Sequence, residues 1–338
     1  MNTPVSSYWV GIDISKETFD AAIAPTGSSK TKWNQLAHRC FPNTPQGVIE
    51  LLEWLQETAP GHTCLGLCLE HTGCYTRAFL HAYGALAPES FPMASAVNPL
   101  LPKAFLRTLS LRDKTDRSDA CALSLYGLMH EPAPTPLIGV LHQQLRDLFR
   151  TRCFLVEQST CFKNRLKTSA KDDLSKKRLE GVLTRMEEEI AAIDETVQET
   201  ISKDERLRED YKRLKTVPGI GKVCALMILS EFGDLRTWSR REVVSYAGLF
   251  ARSYESGSSV RSKPRMVKGG GRIIRQKLYL GATSLLKHET KFTPWLKQLE
   301  ERGKKKMQCI GALMRKILML ARAVICSGKD YDPNFSLA

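Results

Sequence analysis

The chain has 338 residues, with 50 Lys plus Arg against 36 Asp plus Glu, a formal net charge of +14. A hydrophobic fraction of 42% and a charged fraction of 25% are those of a folded globular chain, so wholesale disorder and fibrous repeats are excluded, and the charge asks for a polyanion, nucleic acid first. No apolar run reaches the ~18 residues of a membrane span and no signal pattern opens the chain, so the expectation is a cytoplasmic protein, nucleoid-associated when active, with no membrane partner.

In chain order, the run 8–14 (YWVGIDI) predicts a strand, and after a turn at 15–17 the run 19–23 predicts a second. A third strand is expected near 35–41. Residues 45–58 predict a helix, because Val48, Leu51, Leu52 and Leu55 recur at helical spacing. A strand at 63–69 (TCLGLCL), a helix at 75–83 and a weak strand at 93–97 follow, then a polar segment and a helix beginning near Asp116. The order βββαβαβα is that of a ribonuclease H-like α/β sheet.

Pro132, Pro134 and Pro136 mark a domain boundary. Beyond it, 141–167 is an amphipathic helix, and Leu179, Leu183, Met186, Ile190, Ile193 and Val197 step by four and three, a heptad seam. Three heptads fit a coiled coil or an ordinary helical hairpin. A second boundary near 203–210 completes the division into 1–135, 136–205 and 206–338. Charge divides similarly: residues 1–140 hold 10 basic and 12 acidic side chains, and 141–338 hold 40 and 24. The front tolerates carboxylates, and the back meets phosphates. Ten cysteines contain no C-x-x-C pair, which argues against a zinc ribbon or a disulfide framework.

Four acids in the front part are candidates for chemistry. Asp13 sits within the first strand, Glu70 ends the fourth, and Asp116 and Asp119 open the helix in KTDRSDA. An Asp inside VGIDI faces burial, which is costly without donors or a cation. Asp116 and Asp119 are i, i+3 and share a helix face. An oxygen-only set of this kind suits Mg²⁺, two ions clamping a scissile phosphate. The structural alternatives are a hydrogen-bonded strand Asp and helix-capping acids. His71 beside Glu70 is the one histidine of interest, with an incidental role as its alternative.

In the back part, Arg252, Arg261, Lys263, Arg265, Lys268, Arg272, Arg275 and Lys277 accompany a single acid, Glu255. This is the footprint of a phosphate backbone. Ser256, Ser258 and Ser259 lie in the same loop beside Gly257 and the glycines at 269–271. A serine among cations can attack phosphorus, although a phosphate-contacting loop needs no nucleophile. Upstream, VPGIG at 217–221 joins Lys222 and an apolar helix in a pattern like a helix-hairpin-helix element, whose turn amides can hold a phosphate.

Together these motifs carry a resemblance. VGIDISK with Asp13, LEHTG with Glu70, NPLLPKAF, KTDRSDA, VPGIG and YAGLFARSYESGSSVRSKPRMVKGG occur in this order over nearly the whole chain. The chain resembles the insertion-sequence one-ten family of DEDD transposases, the RNA-guided bridge recombinases. The resemblance implies a RuvC-like domain whose four acids bind Mg²⁺, a helical coiled-coil linker, and a mainly α C-terminal transposase domain. It further implies Ser256 as the residue that attacks DNA, donor and target DNA paired to a structured guide RNA, and a dimer of dimers with composite active sites. Two positions depart from the family pattern: Phe250-Ala251 in its GL-x-P element and His71 in its EATG element. The competing readings are a RuvC-like junction resolvase, which needs the acids but not Ser256, and an architectural nucleic-acid-binding protein, which needs only the basic half.

Overall fold

The computed structural model describes residues 7–71, 73–108, 115–135, 139–168, 174–252, 255–256, 260–261, 265–267, 271–287 and 291–333. The chain divides into two compact units, Met1–Leu137 and Ile138–Ala338. Among the described residues no helix is long and apolar enough to cross a membrane.

The first unit is built on strands β1 (Ser7–Ile14), β2 (Thr18–Pro25), β3 (Ala37–Pro42), β4 (Thr63–Glu70) and β5 (Ala94–Val97), in the sheet order β3-β2-β1-β4-β5. The first three form an antiparallel meander, and β4 and β5 run parallel to β1. Helices α1 (Pro45–Thr58), α2 (Cys74–Leu86), α3 (Leu100–Thr108) and α4 (Asp116–His130) complete it. Alternation divides the sheet into two faces. Tyr8, Val10, Ile12, Phe19, Ala21, Ile23, Leu67 and Leu69 enter a core with Leu51, Leu55 and Phe79 of α1 and α2. Trp9, Ala22, Ala24 and Cys68 enter the other, against α4.

Helix α4 lies directly on β1. A Cβ on Gly11 would stand 2.1 Å from both the Ala120 carbonyl oxygen and the Ser124 nitrogen, and one on Gly127 would stand 2.5 Å from the Trp9 ring. Glycine at 11 is therefore what admits α4 backbone to the strand. Gly11→Ala is expected to cost about 3 kcal/mol in a denaturant titration, by overpacking. Gly181→Ala, on a helix with open space around its Cβ position, should be neutral or stabilising.

The structure departs from expectation at 98–108, read as a polar segment and found to contain α3. Pro102 lies in its first turn, where a missing N–H does no harm, and the Asn98 side chain accepts from the Leu100 amide at 3.0 Å.

The second unit is helical: α5 (Val140–Thr168), α6 (Leu174–Ser202), α7 (Glu205–Leu214), α8 (Lys222–Phe232), α9 (Arg240–Tyr246), α10 (Arg272–Leu285), α11 (Thr293–Glu301) and α12 (Lys306–Ser327). Among the described residues between α9 and α10 lie the two-residue strands β6 (Ala251–Arg252), β7 (Glu255–Ser256), β8 (Val260–Arg261) and β9 (Arg265–Met266), pairing as β6-β9 and β7-β8. Helices α5 and α6 lie antiparallel, bridged by Arg152–Asp194 at 2.6 Å and Lys163–Glu187 at 2.8 Å. The heptad seam is half-buried along α6 and fully buried at Val197. At the foot of the pair, Leu145, Phe149, Val197 and Ile201 join the core made by α8, α10 and α12. Buried Glu231 on α8 binds Arg150 through both oxygens, at 2.9 and 3.0 Å, with Arg146 at 3.3 Å. The expected boundary near 203–210 contains the start of α7, capped by Asp204, which accepts from the Leu207 amide.

Candidate active site

Period-two alternation places three acids on the α4 face of the sheet. Asp13 follows Trp9 and Gly11 on β1, and Glu70 follows Cys68 on β4. Asp20, which sequence reasoning missed, shares that face with Ala22 and Ala24 and stands directly opposite Asp13 in the β1–β2 register. Helix α4 supplies the others: Thr115 and Ser118 form a reciprocal capping box that fixes its start, with Asp116 and Asp119 in the first turn. Because Ser124 and Ala120 cross β1 at Gly11, the preceding turn of α4 lies over Asp13.

The electrostatics report this convergence. Asp13 is half-buried, and its carboxyl is pushed from an ordinary 3.8 up to about 7, first by burial and then by the negative charges of Asp119, Asp116, Glu70 and Asp20. Asp116 is exposed, whereas Glu70 and Asp119 are half-buried. Asp20 is buried and meets the His38 Nε2 at 2.6 Å. His71 is exposed, and its amide donates to the Val97 carbonyl.

Among the described residues, no three His, Cys, Asp or Glu side chains are gathered closely enough to hold a metal ion. The donor chemistry nonetheless fits a hard divalent cation. The set is oxygen-only, and a carboxyl driven toward protonation by its like-charged neighbours is a group that such an ion would relieve.

In the second unit, Ser256 lies on β7 opposite Val260 of β8, and Glu255 lies opposite Arg261. Arg265 is on β9 opposite Arg252. Lys263, Lys268, Tyr254, Gly257, Ser258 and Ser259 lie outside the described residues. Lys222 is exposed at the start of α8, and Arg252 is exposed on β6. Arg272 is exposed and reaches Glu157 at 3.8 Å. Arg275 donates to the Ala247 carbonyl at 3.1 Å, and Lys277 is half-buried beside Cys224, whose thiol burial pushes up to about 12 against the opposing pull of the Lys277 charge. These last two have internal work as well as charge. The PGIG turn also has a packing role. Gly219 has φ +85°, and a Cβ on Gly281 of α10 would stand 2.2 Å from its carbonyl oxygen.

Comparison with known proteins agrees with both halves of this description. A family model described as a transposase, of the DEDD type, matches residues 10–171, and one described as Transposase IS116/IS110/IS902 family matches 211–298. The chain is similar to the pilin gene-inverting protein of Moraxella lacunata, 30% identical over 330 residues, covering 97% of this chain and 98% of the relative. The pilin gene-inverting protein of Moraxella bovis is 29% identical over the same span. The transposase for insertion sequence element IS1111A of Coxiella burnetii is 28% identical over 162 residues, 46% of this chain and 44% of that one. With an α/β sheet unit bearing the acids, a helical unit bearing the basic loop and a full-length relative at 30% identity, the chain belongs to the IS116/IS110/IS902 family of transposases and is a DNA transposase/recombinase.

Proposed function

We propose that this transposase cuts and rejoins DNA through a serine–DNA ester, using a RuvC-like acid site and a structured guide RNA that pairs with donor and target DNA. The observation that supports it most is the Asp13 carboxyl, set among Asp119, Asp116 and Glu70 on one face of the sheet and raised by their charge. Such mutual repulsion is poor packing but good preparation for a cation.

In this reading Asp13, Glu70, Asp116 and Asp119 hold Mg²⁺, two ions per site. Bound there, the metal polarises phosphoryl oxygens and stabilises charge on the attacking and leaving oxygens. The Ser256 hydroxyl attacks phosphorus, the DNA hydroxyl leaves, and return of a DNA hydroxyl releases the serine. Arg252, Arg261, Lys263, Arg265 and Lys268 offset the phosphorane charge, while Lys222, Arg272, Arg275 and Lys277 meet the backbone. Residues 1–135 form the acid domain, 136–205 a coiled-coil linker and 206–338 the serine domain, and the assembly is a dimer of dimers. The protein works in the cytoplasm, at the nucleoid.

The test incubates full-length protein with DNA bearing the element ends, the guide RNA and Mg²⁺. Rejoined product is expected, and it should disappear when the metal is chelated or the RNA omitted. Cut ends that never rejoin would favour the resolvase reading, and binding without cutting the architectural one.

A further inference from the structure

The second unit contains a cleft of about 450 Å³ that the sequence reading did not anticipate. Its floor and wall are Val244 of α9, Phe250 just before β6, and Met319 of α12. Its rim carries Arg240, Arg241 and Arg315. Neighbouring arginines are occupied, Arg236 by Asp210 and Arg322 by the Trp238 carbonyl. Arg240, Arg241 and Arg315 are exposed and form no ion pair with a described acid. Glu242, the acid nearest them in sequence, accepts from the Ser239 amide in a capping box. Three exposed cations from two helices therefore ring the cleft with positive charge that an anion would offset.

Phe250 and Met319 pack on the core with one side and stay half-buried, and an anion alone would leave their open side uncovered. A nucleotide supplies both parts, a flat base for the wall and a phosphate for the rim, and the cleft has the volume of a small-ligand pocket. A paired duplex could touch only the rim, since its bases are stacked inside the helix. We propose that this cleft holds one unpaired nucleotide of the bound nucleic acid, its base against Phe250 and Met319 and its phosphates on Arg240, Arg241 and Arg315.

The site is tied to the loop that carries Ser256. The Val267 amide donates to the Phe250 carbonyl at 3.2 Å, and a Cβ on Gly311, one turn before Arg315 on α12, would meet the Met266 methyl at 2.9 Å. Phe250 and Ser256 are six residues apart, at most about 20 Å of extended chain. The inference rests on the chain's acting on nucleic acid but not on any chemical step.

The experiment uses the full chain in EDTA and measures fluorescence anisotropy with four labelled hairpins. They are a DNA hairpin with a single-nucleotide bulge, its fully paired counterpart, and the RNA versions of both. Wild type should bind a bulged hairpin about tenfold more tightly than the paired one, the scale of one base–aromatic stack; the polymer showing the preference names the source of the nucleotide. Arg240→Gln/Arg315→Gln, at two exposed positions, should erase the preference without changing the circular dichroism spectrum. A 5-iodouracil placed at the bulge should crosslink to Phe250 or Met319. Equal affinity of wild type for bulged and paired hairpins would overturn the pocket, as would an equal loss for both in the variant, which describes a general phosphate patch. A protein that shows the preference yet never rejoins DNA would refute the recombinase reading and leave the pocket standing.

Discussion

Replacing Asp13 with Asn is expected to abolish strand cleavage and, in the same protein, to raise the stability of the metal-free fold. The two effects have one origin. The Asp13 carboxyl is raised from 3.8 to about 7, so between those values the folded protein holds a proton that the unfolded chain has released. Stability is thus highest below the unfolded value, falls as pH rises from about 4 towards 7, and carries the full penalty above that. The shift sets an upper bound of about 4 kcal/mol. Since the side chain is only half-buried, solvent reduces this to on the order of 1–2 kcal/mol. Asn has the same shape and no charge to bury. Urea titration in EDTA should find Asp13→Asn the more stable protein at pH 8, with the advantage gone near pH 4. Mg²⁺ should narrow the gap at pH 8 by stabilising wild type alone. Wild-type cleavage by the variant would remove Asp13 from the chemistry. Unchanged stability at both pH values would show that the acids around it do not couple as their placement requires.

The sheet was readable because its pattern is local. Strand and helix periods identify β1, β2, α1 and β4 directly, and alternation along VGIDI already puts Gly11 and Asp13 on one face. What could not be read is register and close approach. Asp20 looks like one more polar residue in a strand until pairing sets it opposite Asp13. Gly11 looks like a weak strand residue until α4 is laid against it. The helix α3 escaped because Pro99 and Pro102 read as interruptions, and because Leu100 and Leu101, 73% and 51% exposed, give no buried stripe. The arginine-rimmed cleft joins α9 to α12, elements far apart in sequence, so no motif could announce it.

The same distinction bears on Ser256, whose type is visible in sequence and whose setting is not. Ser256→Ala is expected to eliminate a covalent protein–DNA adduct and all rejoined product. Recombination with no external energy source must conserve the energy of the phosphodiester, and an ester to a side-chain hydroxyl does this where hydrolysis does not. The loop offers Tyr254, Ser256, Ser258 and Ser259 as hydroxyls. Ser256 is the one set in a described ladder, opposite Val260 and next to the Glu255–Arg261 pair. Removing the nucleophile while leaving the acids and basic residues intact should therefore spare DNA binding and salt dependence but end strand transfer, a loss of at least 10³-fold by the order of magnitude expected for covalent catalysts. The reaction would be run on end-labelled DNA, stopped in denaturant and digested, and the DNA-bearing peptide identified by mass spectrometry. An adduct mapping to the 255–256 strand in wild type and missing from the variant is the expected result. An adduct surviving the substitution, or one placed on Tyr254, would transfer the role to another hydroxyl. Full cleavage with no adduct in wild type would mean that water, activated at the acid site, is the attacking group.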